Sequence, residues 1–520
     1  MKFLCDQKYI CLPASFHAPR KRLMFWINGK MVYDLVVNLD YDQPDYRFPI
    51  NVERFSGQEI EVTCDHEIDI AIVKSDEPDS DYSGKYRPVS HFTAKRGWIN
   101  DPNGLVYHEG KYLMYFQHNP AATTWENMHW GKAESTDLVH WTEKGDALFP
   151  DEKGTMFSGS AIVDWNNVSG LGKDGIAPIL FFYTAAGGTS ETSKGQPFTQ
   201  CLAYSLDGGK TLTKYEKNPI IKHIVSENRD PKVIYYAPDD SYIMALYLER
   251  HDFALLKSMN LLDWNEIQRI ELPNDAECPD FYPLPVDGDR DNVKWVFTAA
   301  SDRYMIGSFD GERFVPETAE KRLNYGTASY AAQSWSGLPD MRRVRTAFVT
   351  CVIPNMPFGC LMDLPQEMTI RSVNGELCLC AEPVKEIDRL IVCGDQFEPF
   401  EVKKSFKHEV TEKCTDVRLK VQKGESFTVS LFGLTIHYNA ETEMLSCLDK
   451  EARVSGTGGC IDLRIIFDTV YAEIFSESGS VFMGMTCMQD LTRNKLEIKA
   501  DKLRVDELSV SGLGKFYETE

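Results

Sequence analysis

The stretch AESTDLVHW, Ala133 to Trp141, decides the fold together with three others like it. AYSLDGGKTL (Ala203 to Leu212), LKSMNLLDW (Leu256 to Trp264) and IGSFDGERF (Ile306 to Phe314) share its order: a small residue or strand, a serine, an Asp or Asn two places on, then a nearby bulky residue. The serines stand at 135, 205, 258 and 308, spacings of 70, 53 and 50 residues. Repeats of about 40 to 50 residues carrying several strands mark a β-propeller, whose blades bury their faces against one another. Four unrelated hairpin turns are the alternative, and the strand that precedes each copy weighs against it. The Ser and Asp of such turns satisfy backbone groups, so they are left out of the candidate site.

Outward from the repeats, LMFWI, KYLMYFQ, ILFFYTAA, SYIMALYLE and KWVFTAA are short aromatic and apolar runs bounded by Gly, Pro, Asn and Asp. They read as strands, and with helical periodicity nearly absent the chain is all-β. Its 520 residues exceed what one core serves. Residues 1–84 (KRLMFWING, KMVYDLVVNL, EIEVTC, IDIAIV) predict a small N-terminal β-domain, and KSDEPDSDYSGKYRP, Lys74 to Pro88, reads as a linker. Residues 85–365 form the propeller in this reading. Residues 366–520, with SFTVSLFGLTIHY, CIDLRIIFD, TVYAEIFSE and VFMGMTC, predict a β-sandwich whose tail, LEIKADKLRVDELSV, packs as two edge strands.

A net charge of -22 disfavours nucleic acid and anionic membrane as partners, whereas a neutral substrate meets no such repulsion. No run of about 18 apolar residues exists to span a bilayer. The start, MKFLCDQKYICLP, is interrupted by Asp6, Gln7 and Lys8, and the 14 cysteines are scattered; both point to a cytoplasmic protein with reduced thiols. No metal and no cofactor is expected. Cys378 and Cys380 have no second pair near them, and VDGDRDNVKW (Val286 to Trp295) lacks the glycine and glutamate of a calcium loop, so it reads as a hairpin turn. Oligomeric state is left open.

Three acids stand in short, stiff contexts: Asp101 in RGWINDPNGLVYH, Asp230 in NRDPKV and Glu277 in DAECPDFYPL. NDPNG alone reads as a turn. Arg229 beside Asp230 favours an ionised carboxylate, while the small and apolar neighbours of Glu277 favour a raised pKa, as a general acid needs. The three fall on different blades, and blade starts converge on the central channel. Cleaving a glycosidic bond requires such a set: a nucleophile or base, an acid for the leaving oxygen, and an anchor for the sugar. Of the nearby aromatics, Trp125 in the polar setting TTWENMHW is the best sugar platform.

WINDPNGL, YFQHNP, HWGKAESTDLVHW, FSGSA, RDPKV, ECPDF and YAAQSW occur in the order and approximate spacing of glycoside hydrolase family 32, the invertases, inulinases and levanases. The chain resembles that family from about residue 88 to 515. The resemblance implies a five-bladed β-propeller followed by a β-sandwich. It makes Asp101 the nucleophile, Glu277 the acid/base and Asp230 the transition-state stabiliser with Arg229 beside it. Asn100, Gln117, Trp125, Phe157 and Ser158 line the fructose pocket, with Tyr325 and Trp335 matching more loosely. Asn324 stands where the family often has an acid. The first 84 residues are similar to an extra N-terminal domain of some bacterial fructan-degrading members.

The expected activity is retaining hydrolysis of β-fructofuranosides, exo-acting first, with endo-levanase or sucrose-6-phosphate hydrolase as runners-up. An inverting arabinan or xylan hydrolase and an inactive sugar-binding propeller are the readings from other classes.

Overall fold

The computed structural model describes residues 1–67, 70–77, 81–351, 353–373 and 375–517. A strand with both faces covered reads as a continuous apolar run. That is why Ile179–Ala186 is buried at every position and Ser241–Glu249 at all but the last: each is the second strand of a blade wedged between two others. The blades are antiparallel meanders stepping outward from the channel. The first is Gly97–His108, Lys111–Asn119, His129–Ser135 and Thr142–Leu148; the second Thr155–Val163, Ile179–Ala186, Thr199–Ser205 and Thr213–Lys214. The third is Arg229–Tyr236, Ser241–Glu249, Asp252–Ser258 and Asn265–Glu271; the fourth Asp280–Val286, Asp289–Thr298, Arg303–Phe309 and Phe314–Pro316. Tyr330–Ser334, Val344–Val349, Gln366–Val373 and Glu376–Pro383 make the fifth, so strands past residue 365 still belong to a blade. Phe358–Gly359 pairs in parallel with Gly97–Trp98 and closes the ring.

The four repeats mark one place in four blades, the exit of the third strand. The hydroxyls of Ser135, Ser205 and Ser258 accept the N–H groups of Asp137 (3.1 Å), Gly209 (2.8 Å) and Leu261 (2.8 Å). The bulky residue then returns to the turn, Trp141 Nε1 donating to the Leu138 carbonyl at 2.8 Å. In the fourth blade Asp310 does the capping, accepting the N–H groups of Glu312 and Arg313. The four repeats thus mark four of the five blades.

Three local expectations are corrected. NDPNG is no turn: it lies inside the strand Gly97–His108, whose register slips between Ile99 and Pro102 and again between Asn103 and Val106. The bulges fall at Asn100–Asp101 and at Gly104–Leu105; a Cβ on Gly104, at φ 54°, would sit 3.0 Å from Tyr115 and 3.1 Å from Trp130. The stretch from Lys74 is only partly a linker, because Val73–Ser75 pairs with Tyr9–Cys11 and Tyr82 stacks on Tyr517; residues 78–80 lie outside the described residues. The polar tail is one 19-residue strand, Lys495–Leu513, in the middle of the sandwich. It bonds Phe400–Glu409 along its first half and Thr415–Gln422 along its second. Leu496, Ile498, Leu503, Val505, Leu508 and Val510 supply its buried face, so the polar alternates that suggested an edge only face outward.

The N-terminal strands form two sheets of four and three strands around Ile10, Leu23, Phe25, Leu35 and Phe48. Sandwich and propeller meet through Asp468, whose carboxylate accepts the N–H groups of Val89 and Ser90 and pairs with His91. Val286 to Trp295 forms the expected hairpin, turning at Asp287 and Gly288, both at positive φ. Among the described residues no helix is long and apolar enough to cross a membrane.

Candidate active site

Three of the inner strands break register at a functional residue. The slips fall between Ile99 and Pro102, around Asp101; between Phe157 and Gly159, around Ser158; and between Arg229 and Lys232, around Asp230. A bulge re-aims a side chain that a regular strand would bury in a blade face. Asp230 and Glu277 themselves sit at φ 66° and 60°, left-handed conformations uncommon for residues with a Cβ and tolerated where the surroundings hold them.

The side chains so aimed line a cavity of about 450 Å³ fed by all five blades. Asp101 accepts hydrogen bonds from Ser158 Oγ at 2.5 Å and Asn100 Nδ2 at 3.0 Å, and Asn100 is held in turn by Trp98 Nε1 at 3.0 Å. Across the pocket Glu277 accepts from Arg229 Nη2 at 2.7 Å and from the Tyr330 hydroxyl at 2.9 Å. Cys278 ties the set together: its thiol lies 3.5 Å from Asp101 Oδ2 and 3.4 Å from Asp230 Oδ2, and its N–H donates to Asp230 at 3.0 Å. Gln117 Nε2, buried and on the pocket wall, finds no acceptor among the described residues. A buried donor without a partner is a point where a ligand oxygen gains most.

Burial pushes the Asp101 carboxyl above its ordinary 3.8, with the Glu277 charge adding to it and the Ser158 and Asn100 bonds opposing it. Burial likewise pushes Asp230 up to about 7, against the lowering effect of Arg229 and with the help of the Asp101 charge. The expectation that Arg229 keeps Asp230 ionised is thus corrected. The guanidinium stands 3.8 Å from Asp230 and spends its short bond on Glu277, while Asp230 is only 6% exposed. Glu277 is the more solvated acid, its side chain 33% exposed. Desolvation therefore falls on the aspartates.

Two measurements follow. The acid limb of kcat/KM is expected above the ordinary aspartate value, and Ser158→Ala, by removing a bond that favours the Asp101 carboxylate, shifts that limb to higher pH; an unmoved limb refutes the coupling. Tyr330→Phe removes a donor to Glu277 and is expected to lower kcat roughly 10- to 100-fold, the worth of one hydrogen bond to a charged group, with little change in thermal stability.

Asn100, Gln117, Trp125, Phe157, Ser158 and Arg229 all line the cavity with the three acids. Trp125 is half-exposed and packs edge-on to Phe157 at 5.9 Å. Tyr325 and Trp335 do not reach it. Trp335 is 1% exposed, stacks on Trp141 and donates to the Leu113 carbonyl, a core role. Tyr325 packs on the sandwich core, its N–H donating to Phe482. Asn324 caps the turn at Gly326 and accepts the N–H of Gly484, so it links propeller to sandwich. Sequence reading missed Tyr330, which stands just before a register slip that swings it inward. It also missed Thr189 and Phe198, which come from a loop with no motif of its own. A larger cleft of about 1140 Å³ lies between the fifth blade and the sandwich. Among its charges Arg371 pairs with Glu382 and Arg418 with Asp416, and none of the three acids lines it.

Carboxyls facing each other across a polar, aromatic-rimmed pocket at a propeller mouth equip a glycosidase. The profile of the glycosyl hydrolases family 32 N-terminal domain matches residues 91–381, and the chain belongs to that family. It is 30% identical to a levanase of Bacillus subtilis over 86% of this chain and 73% of that protein. It is 32% identical to an extracellular exo-inulinase of Aspergillus niger over 58% of this chain and 65% of that protein. Among solved structures, a fructofuranosidase of Schwanniomyces occidentalis complexed with fructose superposes with a TM-score of 0.76 at 26% identity, over 84% of this chain and 100% of that one.

The cytoplasmic expectation is overturned here, because relatives of this chain are extracellular enzymes. Scattered cysteines, 8 of them buried, describe packing and do not report a compartment. Family membership also removes the inverting arabinan or xylan hydrolase.

Proposed function

We propose that this glycosidase releases fructose from the ends of β-D-fructofuranosides, fructans such as levan or inulin and also sucrose, with retention of configuration. Asp101 attacks the anomeric C2, forming a C–O bond as the bond to the leaving oxygen breaks, and Glu277 gives its proton to that oxygen. Water then passes a proton to Glu277 and attacks C2, and Asp101 leaves as carboxylate. Asp230 binds fructose hydroxyls as positive charge develops on the ring, and Arg229 orients Glu277. Asn100, Gln117, Trp125, Phe157 and Ser158 hold the sugar.

The observation that carries this reading is the meeting of three carboxyls from three blades in one cavity, each with its own hydrogen-bonded support. Exo action is supported by the cavity's size, which suits a small terminal unit more than a polymer lying across it. The same reading divides the chain into 1–84, a propeller from 85 to the end of the fifth blade at Pro383, and the sandwich beyond. The net charge of -22 leaves nucleic acid and anionic membrane outside it.

A product profile on sucrose, inulin and levan tests the proposal. Fructose as the sole product from both polymers supports exo action, oligosaccharides mean endo action, and no release from any of the three overturns the function.

A further inference from the structure

The catalytic cavity is rimmed by two loops that the propeller does not hold by itself. One, residues 120–128, joins Lys111–Asn119 to His129–Ser135 and carries Trp125; the other, residues 187–198, joins Ile179–Ala186 to Thr199–Ser205 and carries Thr189 and Phe198. Both end on one element of the N-terminal domain, the strand Lys30–Val37, which is the edge of its four-stranded sheet. An edge strand leaves backbone groups unpaired, and here they are used. The Val36 N–H donates to Asn127 Oδ1 and the Val36 carbonyl accepts from Asn127 Nδ2, both at 2.8 Å, a side-chain amide serving as the missing strand. The same Nδ2 donates to Asn119 Oδ1 at 2.9 Å, and Arg20 pairs with Glu126 next door.

Two residues earlier and on the same face of the strand, Asp34 is 5% exposed. Its carboxylate accepts the Thr192 hydroxyl at 2.6 Å, the Thr192 N–H at 3.0 Å and the Glu191 N–H at 3.2 Å, with Arg22 as counter-charge. A buried carboxylate filled by a loop's own donors fixes that loop's backbone. The hold passes inward: Thr189 Oγ1 bonds Thr155 Oγ1 at 2.7 Å, and Phe198 packs edge-on to Phe157, which packs edge-on to Trp125.

We propose that the N-terminal domain is a specificity clamp on the active site: Asp34 and Asn127 are positioning residues that set the rim of Trp125, Thr189 and Phe198 and so the fit of the fructoside entering the pocket. The kinetic arm of this inference rests on the fructosidase reading, whereas the structural arm stands apart from it.

The test compares wild type, Asp34→Ala and Asp34→Asn in the full chain. For sucrose and inulin, Asp34→Ala raises KM roughly tenfold, the loss of one charge-assisted tether, with kcat within twofold; Asp34→Asn, which keeps an acceptor, raises it less. Trypsin reports the loop directly, because Lys194 stands on it with its side chain 76% exposed. Cleavage after Lys194 is faster in Asp34→Ala than in wild type. An unchanged KM, an equal loss in kcat, or an unchanged cleavage rate overturns the clamp. If Asp34→Ala does not fold, Thr192→Val removes only the loop's hydroxyl bond and is read the same way. Wild-type protein inactive on all three sugars would sink the fructosidase reading and leave the trypsin comparison to decide the clamp.

Discussion

Asp101→Asn is expected to lower the turnover of sucrose by on the order of 10⁴-fold or more while the protein stays folded. The amide keeps the shape that Ser158 and Asn100 grip but has no charge to form the bond to C2. Stability moves the other way. Burial raises Asp101 above 3.8, and Asp230 to about 7, so the folded chain holds these protons more tightly than the unfolded one. Each carboxyl therefore costs stability as pH rises past the unfolded value, and that cost is complete above the folded value. At neutral pH, Asn at position 101 removes one such cost, so the melting temperature should hold or rise. Initial rates and thermal unfolding followed by circular dichroism check both halves. Near-native activity, or a variant that does not fold, would return Asp101 to a structural role.

His91→Ala is expected to cost about 3–5 kcal/mol at pH 7, because it strips the counter-charge from carboxylates that have no water to turn to. His91 is fully buried between propeller and sandwich, its Nδ1 2.9 Å from Asp468 and its Nε2 3.5 Å from Glu473, with Tyr471 edge-on to the ring. Asp363, which faces Glu473, is itself pushed up to about 7 by burial and by that charge. Burial opposes the imidazolium, but the two carboxylates outweigh it and raise His91 from 6.5 to about 10. A histidine raised on folding contributes stability that is complete below its unfolded value and lost as pH climbs through the folded one. The gap in unfolding free energy between wild type and His91→Ala should therefore be widest below pH 6.5 and narrow towards pH 10. A gap that does not change with pH would mean that His91 acts only through packing.

The propeller was legible because its information is local. Each repeat holds its own turn, three by a Ser hydroxyl closing on an N–H two to four residues ahead and the fourth by Asp310, and such turns need no partner from another blade. The acids were legible as well, since Pro102 and Pro231 beside Asp101 and Asp230 mark strands that cannot pair regularly. Reading stopped where a side chain's neighbours come from elsewhere in the chain. The sequence singles out Trp335 and passes over Tyr330, five residues before it; the register slip after Tyr330 turns Tyr330 to Glu277, while Trp335 is buried on Trp141.

Composition and motif thus determined an all-β chain with its propeller and sandwich, and nominated the three acids, because strand alternation and turn chemistry act over a few residues. Only the tertiary structure decided that Arg229 grips Glu277 more closely than its neighbour Asp230, that desolvation falls on the aspartates, and that the N-terminal domain reaches the pocket rim. Those outcomes depend on which distant groups share a buried volume, and electrostatics and desolvation follow distance in space, not order along the chain.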